Sequence, residues 1–370
     1  MSISRILEIF LCLLMLVPAS LAIQPVAAAS TCTPAGTTGL TTLVTAHSGQ
    51  VISGMTVNAN GCDIGIFVPP GSKHVVITGN TVRHAGVHGI FVQDSSYVTV
   101  DHNTVTNNSA GLLSVSCDFI APPCVNEGKA IQLSGTSHSV VSDNYVVNDL
   151  FGGIAVTDDG PVNPGALNPG SSLNAVDNVV TGNYIAKVSN DCGIVVAVYN
   201  AQTANGNVIS GNVVKGSPPP FGVNPYVGQI VVATDGPGAV ISNTVVENNV
   251  VFGSTLPGIV VHSNAPGDKI AYTSIIGNKL GNNGYYPPDF ATPNTPVQDN
   301  GTVGIALESE SYPPYPGSPV LTHTTLIDNT VNPDQVGVWL CNTAHTSLTN
   351  TPGPGSSVTT QVLVCSHGGS

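Results

Sequence analysis

The stretch Val76-Ile77-Thr78-Gly79-Asn80-Thr81-Val82-Arg83 decides the fold, because versions of it return along the whole chain. In each version an Asn is followed two residues later by Val, Ile or Leu, and another apolar residue stands three positions before it. Apolar side chains on alternate positions are typical of strands, so each copy predicts two strands with the Asn at the bend between them. The copies are centred on Asn80, Asn103, Asn144, Asn183, Asn212, Asn249, Asn278 and Asn329, and Met55 heads a ninth.

A second repeated motif, which predicts a third strand in each copy, has the form Gly-Ile-x-(Val/Leu) or a close variant; we call the set of its copies the Gly-Ile column. Its copies start at Ile66, Ile90, Ile131, Ile154, Ile194, Ile230, Ile259, Ile305 and Val338. The least interrupted copies repeat every 23 to 25 residues, which accommodates three short strands and three bends. The sequence therefore predicts an all-β protein, a parallel β-helix solenoid of about nine coils with three strands per coil. Stacked coils would place the Asn amides about 4.8 Å apart, where they can form a hydrogen-bonded ladder.

These repeats resemble the right-handed parallel β-helix, or pectin-lyase-like, superfamily over residues 41 to about 345. The resemblance implies that the Gly-Ile column is the first sheet and that the Asn ladder lies between the second and third sheets. Enzymes of this superfamily usually bind polysaccharide over the first sheet, but the fold does not specify a reaction. Asn190-Asp191-Cys192 is similar to the Asp-Asp-Cys stretch of polygalacturonases, with the first Asp replaced by Asn.

The ends of the chain predict export and capping. Residues 1–29 read as a signal peptide, with Arg5, an apolar run and a small-residue cleavage site, and they predict a secreted protein without a membrane anchor. Residues 30–50 are expected to form an N-terminal cap, 51–345 the β-helix domain and 346–370 a C-terminal cap or tail. The expected disulfides are Cys32 with Cys62, Cys117 with Cys124 and Cys341 with Cys365. Cys192 is left over as a thiol and is expected to point inward.

Charge narrows the choice of partner. The 370 residues include eight Lys and Arg, and the net charge is −13. Nucleic acid is excluded in practice, because phosphate binding needs many cationic contacts. A polyanion is disfavoured by the same electrostatics, which leaves a neutral partner or one that is reached through a bound cation. The sequence leaves the oligomeric state open.

A candidate site follows from the outward positions of the Gly-Ile sheet. The register between coils predicts that His262 lies beside Glu308. At the next outward position, Asp235 and Glu310 are expected to lie in line with each other. Asp159 occupies that same position in an earlier coil. A His beside a carboxylate could act as general acid or base, and carboxylates two coils apart approach the spacing of inverting glycosidases. Neither Arg83 nor any Lys occupies an outward Gly-Ile position, which favours a glycosidase over a lyase. The sequence identifies no cofactor with certainty, and calcium is an option because several oxygen ligands converge on this face.

The insertions that flank this sheet are rich in aromatic residues, which suit stacking on sugar rings. The predicted substrate-binding residues are Tyr199, Phe221, Tyr226, Tyr285, Tyr286, Tyr312 and Tyr315. The favoured interpretation is a protein that binds or cleaves a polysaccharide in a groove over the Gly-Ile sheet. The alternative is a non-catalytic extracellular surface, adhesion or structural solenoid, and the sequence leaves open whether the protein is an enzyme.

Overall fold

The computed structural model describes residues 31–36, 38–109, 128–158, 173–188, 192–199, 202–216, 228–234, 236–254, 257–284, 302–309 and 320–364. These residues form an all-β, right-handed parallel β-helix, as predicted. They contain no helix, and therefore none long and apolar enough to cross a membrane. The predicted signal peptide lies outside the described residues.

The first sheet is the Gly-Ile column with additional strands at both ends, and it has 12 strands. In order along the sheet they are Thr33–Pro34, Thr41–Thr45, Ile64–Val68, His88–Gln93, Ile131–Ser134, Ile154–Thr157, Ile194–Val198, Ile230–Thr234, Ile259–Ser263, Val303–Ser309, Asp334–Cys341 and Val358–Val364. All neighbouring strands pair in parallel except the first two, which are antiparallel.

The second and third sheets are the two strand columns on either side of the Asn bend. The second sheet consists of Val51–Ser53, Val76–Thr78, Thr99–Asp101, Val140–Ser142, Val179–Thr181, Val208–Ser210, Val245–Glu247, Ser274–Ile276, Thr325–Ile327 and Ser347–Thr349. The third consists of Thr56–Asn58, Thr81–Arg83, Thr104–Thr106, Tyr145–Val147, Tyr184–Ala186, Val213–Lys215, Val250–Phe252, Lys279–Gly281 and Thr330–Val331.

A fourth, six-stranded sheet lies between the first and second sheets, so the prediction of three strands per coil is incomplete. Its strands are Ala175–Val176, Thr203–Asn205, Val240–Ser242, Lys269–Ala271, Val320–Thr322 and Thr343–Ala344. Single bridges that join Lys73, Ser96, Ser137 and Val176 continue this column into the earlier coils. The sequence did not reveal it because these strands of two or three residues lack a repeated motif such as the Asn bend, which marks the equally short strands of the second and third sheets.

The predicted Asn ladder is confirmed as a continuous hydrogen-bonded column. From Asn80 to Asn329, the Nδ2 of each ladder Asn donates to the Oδ1 of the next at 2.9–3.0 Å. Each of those Oδ1 atoms also accepts a backbone N–H from the preceding coil, as Asn144 does from Asn103. The ladder ends where Asn329 donates to the hydroxyl of Thr351.

Two shorter polar columns occur inside other bends, and the sequence analysis missed them. Asn178 donates to Asn207 at the bend before the second sheet. At the bend after the third sheet, the backbone N–H of Asn108 donates to Asp149 at 2.8 Å, and Asn283 donates to both carboxylate oxygens of Asp334. Burial raises the pKa of Asp149 to about 7, against the hydrogen bonds from Asn108.

The glycines of the Gly-Ile column have a steric reason. A Cβ on Gly153 would overlap the carbonyl oxygen of Gly193 in the next coil and would lie 2.9 Å from Cγ2 of Ile185. The chain therefore enters the first sheet at a point where successive coils approach one another too closely for most side chains. The Ile that follows each Gly then faces the interior and is buried.

The two ends of the solenoid differ. At the N-terminal end, Thr33–Pro34 folds back on Thr41–Thr45, and the predicted disulfide between Cys32 and Cys62 is confirmed. At the C-terminal end, Ser347–Thr349 and Val358–Val364 extend the second and first sheets into the segment predicted as a cap or tail. Cys341 is disulfide-bonded, and its predicted partner Cys365 lies outside the described residues.

Candidate functional site

The outward face of the first sheet, predicted to be the floor of an open groove, is buried. Over the first coils the N-terminal residues Ala35 and Leu40 pack against Phe67 and Phe91. Over the later coils the outward side chains form a second apolar cluster, separate from the interior of the solenoid. That cluster consists of Ala155, Cys192, Val195, Ala197, Val231, Ala233, Val260, Val303, Ala306, Val336, Trp339 and Cys341.

His262 and Glu308 are direct partners across neighbouring parallel strands, so the predicted adjacency is confirmed. Both side chains lie within the buried face, with 1 % and 3 % of their surface exposed. The expectation that they point into solvent is therefore wrong. Ala233 and Cys341 are the neighbours of the pair in the same outward column of the sheet.

The other predicted site residues are mostly not located by the structure. Asp235, Asp159 and Glu310 lie outside the described residues, as do Phe221, Tyr226, Tyr285, Tyr286, Tyr312 and Tyr315. Tyr199 is described and half-buried at the margin of the outer apolar cluster, where its backbone N–H donates to Asp158 at 2.8 Å. The expectation for these residues stays a prediction.

Cys192 is a buried thiol, but it packs on the opposite side of the sheet from the one predicted. Its neighbours are outward residues such as Ala155 and Val195, rather than the interior valines. The prediction extended the strand alternation through Gly193, where the chain bends and the alternation no longer holds.

The outward face of the second sheet is accessible along the whole solenoid. We call it the flat face, and it consists of the first and third residues of the ten three-residue strands of that sheet. These side chains are almost all Val, Thr, Ser or Ile, and only Asp101 and Glu247 are charged. With strands about 4.8 Å apart, the face is roughly 43 Å long.

Two stacks of aromatic and imidazole rings stand along one margin of the flat face. In the first stack, His74, Tyr97 and His138 follow one another with ring centroids 5.1 Å apart. In the second stack, Tyr272, His323 and His345 have centroid spacings of 5.0 and 4.8 Å. All six side chains are exposed. The repeat pattern did not predict these stacks.

The backbone conformation of these rings is unusual for their size. All six residues have φ between 50° and 59°, the left-handed region that favours Gly and Asn, and Gly206 and Asn243 occupy the same column in other coils. A bulky side chain in this region costs about 1–2 kcal/mol relative to Gly. Ring stacking offsets part of this cost, and the exposed ring edges present Tyr hydroxyls and imidazole nitrogens to solvent.

The opposite margin of the flat face carries a small charged group. The ligand atoms of Asp101, His102 and Asp143 lie within 4.8 Å of one another. The hydroxyl of Ser142 donates to Asp101 at 2.9 Å, and the imidazole Nδ1 of His102 lies 2.7 Å from the same carboxylate. The hydrogen bond with Asp101, and then the charge of that carboxylate, raise the pKa of His102.

The comparisons with known proteins agree with this architecture. The family profile for the right-handed β-helix region matches residues 30–121. No curated protein matches the sequence significantly. The fold and the repeat together define a right-handed parallel β-helix protein.

Solved structures with similar folds include an alginate lyase from Paenibacillus sp. str. FPU-7, with 13 % identity, 83 % of this chain and 90 % of that chain covered, and a TM-score of 0.41. PfbA, a surface adhesin of Streptococcus pneumoniae, has 12 % identity, coverages of 87 % and 72 %, and a TM-score of 0.44. The A-module of the Azotobacter vinelandii mannuronan C-5 epimerase AlgE4 has 13 % identity, coverages of 84 % and 74 %, and a TM-score of 0.35. At these identities and TM-scores the likenesses carry no argument about this chain.

Proposed function

We propose that this protein is a secreted β-helix that binds an uncharged polysaccharide along the flat face, with the two ring stacks as its anchoring points. The observation that carries the proposal is the placement of six exposed rings, in a conformation that disfavours them, beside an accessible face that is almost free of charge. Exposed backbone outliers of this kind concentrate at functional positions.

The composition of the flat face suits a neutral polymer. A chain with a net charge of −13 keeps only Asp101 and Glu247 among the outward side chains of this sheet. A polymer can therefore displace water from the face at a low desolvation cost. Val and Ile side chains offer apolar contact to the C–H faces of sugar rings, and Ser and Thr hydroxyls offer hydrogen bonds to sugar hydroxyls.

The ring stacks supply directional contacts. Because each ring covers the face of its neighbour, the edges are the parts left to a ligand, at intervals of about 5 Å along the solenoid. A row of hydroxyl and imidazole groups at this spacing can bond successive residues of an extended polymer. When one polymer contacts several of these weak sites at the same time, its overall affinity is higher than its affinity for a single site.

A second candidate function is cleavage of the polymer by His262 and Glu308, which the strand register favours because it makes them neighbours. This function would require the buried face of the first sheet to open. Binding or cleavage of a polymer in a groove over the first sheet therefore depends on a conformational change, whereas binding on the flat face does not.

The test is a binding assay of the secreted protein against neutral and acidic polysaccharides, with and without calcium, together with detection of reducing ends and unsaturated products. Tyr97→Asn and Tyr272→Asn each remove a ring while keeping a residue that tolerates the left-handed conformation. We expect each variant to weaken binding by about tenfold, equivalent to roughly 1.4 kcal/mol.

Tyr145→Asn is the matched control, since Tyr145 is similarly exposed and stacks on Tyr184, but on the third sheet. It should bind as the unmodified protein does. Unchanged binding by both ring-stack variants would overturn the flat-face proposal. If the unmodified protein releases sugar products and Glu308→Gln does not, that result would instead support cleavage in the groove over the first sheet.

A further inference from the structure

Among the residues that the structure describes, the last coil leaves interior-facing side chains exposed at the C-terminal end of the solenoid. Val362 stacks on the fully buried Val338, yet 39 % of its surface is exposed, and Leu348 stacks on the fully buried Leu326 with 36 % exposed. Val364, which follows in the same strand, is 66 % exposed. We call this surface, formed by Ser347–Thr349 and Val358–Val364, the open end.

The opposite end of the solenoid is closed. Leu43 and Val44 of the first parallel strand are buried, and the antiparallel pairing of Thr33–Pro34 with Thr41–Thr45 protects that edge. Val358–Val364 is the last strand of the first sheet among the described residues, and it has a pairing partner on one side only. An unprotected strand edge of this kind is a template for pairing with another chain.

The open end is also free of the charge that separates copies of an acidic protein. Residues 335–364 contain no Asp, Glu, Lys or Arg, although the whole chain has a net charge of −13. Two copies therefore repel one another over most of their surface, and this repulsion is weakest where two open ends meet. The last strand, Val-Thr-Thr-Gln-Val-Leu-Val, is β-branched and uncharged along most of its length, which favours strand pairing.

We propose that two copies of this chain associate tail to tail through their open ends, with Val358–Val364 of each copy pairing antiparallel about a two-fold axis at Gln361. This register places Val358 opposite Val364 and Thr360 opposite Val362. The exposed Leu348, Val362 and Val364 of each copy then become part of one continuous interior. Because the N-terminal ends are closed, the assembly stops at a dimer instead of growing into a fibre.

The mass of the protein in solution tests this proposal. Sedimentation velocity over a concentration series should show a dimer, and Val362→Lys should raise the dimer dissociation constant by about tenfold or more, because it places two like charges in the contact. The matched control is Phe252→Lys, since Phe252 has the same 39 % exposure as Val362 but lies in Val250–Phe252 of the third sheet, with two further strands of that sheet between it and the C-terminal end. This variant should remain dimeric.

Cross-linking tests the register. Gln361→Cys should form a reducible covalent dimer under mild oxidation, because the two-fold axis brings residue 361 of both copies together. Thr359→Cys should not, because residue 359 pairs with residue 363 of the other copy. A monomer at every concentration, or equal cross-linking by both variants, would overturn the proposed assembly.

Discussion

His262 and Glu308 lie directly opposite each other on adjacent strands of the first sheet, and both are buried. Ala233 precedes them in the same outward column and Cys341 follows them. The repeat correctly predicted the adjacency, since register between coils follows from the spacing of the motif. It wrongly predicted exposure, because the period of a strand indicates which side a residue faces and not what covers that side.

The burial of this pair changes the expected effect of mutation on stability. A surface position would change the free energy of unfolding by no more than about 0.5 kcal/mol, whereas a buried polar group costs roughly 1–3 kcal/mol when it is altered. We therefore expect Glu308→Gln and His262→Ala each to lower the free energy of unfolding by roughly 1–3 kcal/mol, as measured by urea denaturation. Glu247→Gln, on the accessible flat face, is the control and should stay near the original stability. A negligible effect of Glu308→Gln would contradict the buried arrangement.

Asp149 should make stability depend on pH. Its pKa is raised by burial from 3.8 to about 7, so the folded state binds more protons than the unfolded state between these values. Stability should therefore fall as pH rises from about 4 to 7, and the loss should be complete above pH 7. Asp149→Asn removes the ionisation and keeps an oxygen for the Asn108 N–H. We expect it to stabilise the protein by on the order of 2–4 kcal/mol at pH 8.

At pH 4 the same substitution should be nearly neutral, and thermal unfolding at the two pH values measures the difference. Asp334→Asn is the comparison. The pKa of Asp334 is also raised by burial, but both of its oxygens accept hydrogen bonds from Asn283, so its effect should be smaller. Equal unfolding temperatures for Asp149→Asn and the original protein at pH 8 would contradict the assignment.

The interior of the Asn ladder should not tolerate truncation. Asn183 donates to the Oδ1 of Asn212 and accepts from both the backbone and the side chain of Asn144. Asn183→Ala leaves buried groups of both neighbours without these bonds, which we expect to cost about 2–4 kcal/mol of unfolding free energy. Asn248→Gly is the control, because Asn248 is exposed and its left-handed conformation suits Gly. Similar denaturation midpoints for the two variants would contradict the role of the ladder.

Thiol titration tests the disulfide scheme. Cys32 is bonded to Cys62 and Cys341 is also disulfide-bonded. One reactive thiol therefore remains if Cys117 pairs with Cys124 and if the signal peptide, which contains Cys12, is removed as predicted. Cys192 is buried, and it should react with a thiol reagent slowly in buffer and rapidly in denaturant. Three reactive thiols in denaturant would show that the Cys117 and Cys124 pair does not form.

The sequence alone was sufficient for the three main strand columns and the Asn ladder. Equivalent residues of successive coils have the same structural role. Asn80 and Asn103 form the same hydrogen bonds at the same bend, and Ile66 and Ile90 pack in the same layer of the interior. Because these roles repeat, the spacing of the motif in the sequence also gives the register between neighbouring strands. It was not sufficient for the fourth sheet, because strands such as Thr203–Asn205 have no repeated motif beside them that would mark strands of this length.

Only the tertiary structure decided which faces are accessible and which rings meet. Tyr97 and His138 are separated by 41 positions in the sequence, and Tyr272 and His323 by 51, because insertions of different length interrupt the coils. Their stacking becomes visible only when the register of the ladder aligns them. The outer face of the first sheet shows the same dependence over the first coils, where Ala35 and Leu40 pack against Phe91, a residue more than 50 positions later, and no local pattern in the strand encodes that contact.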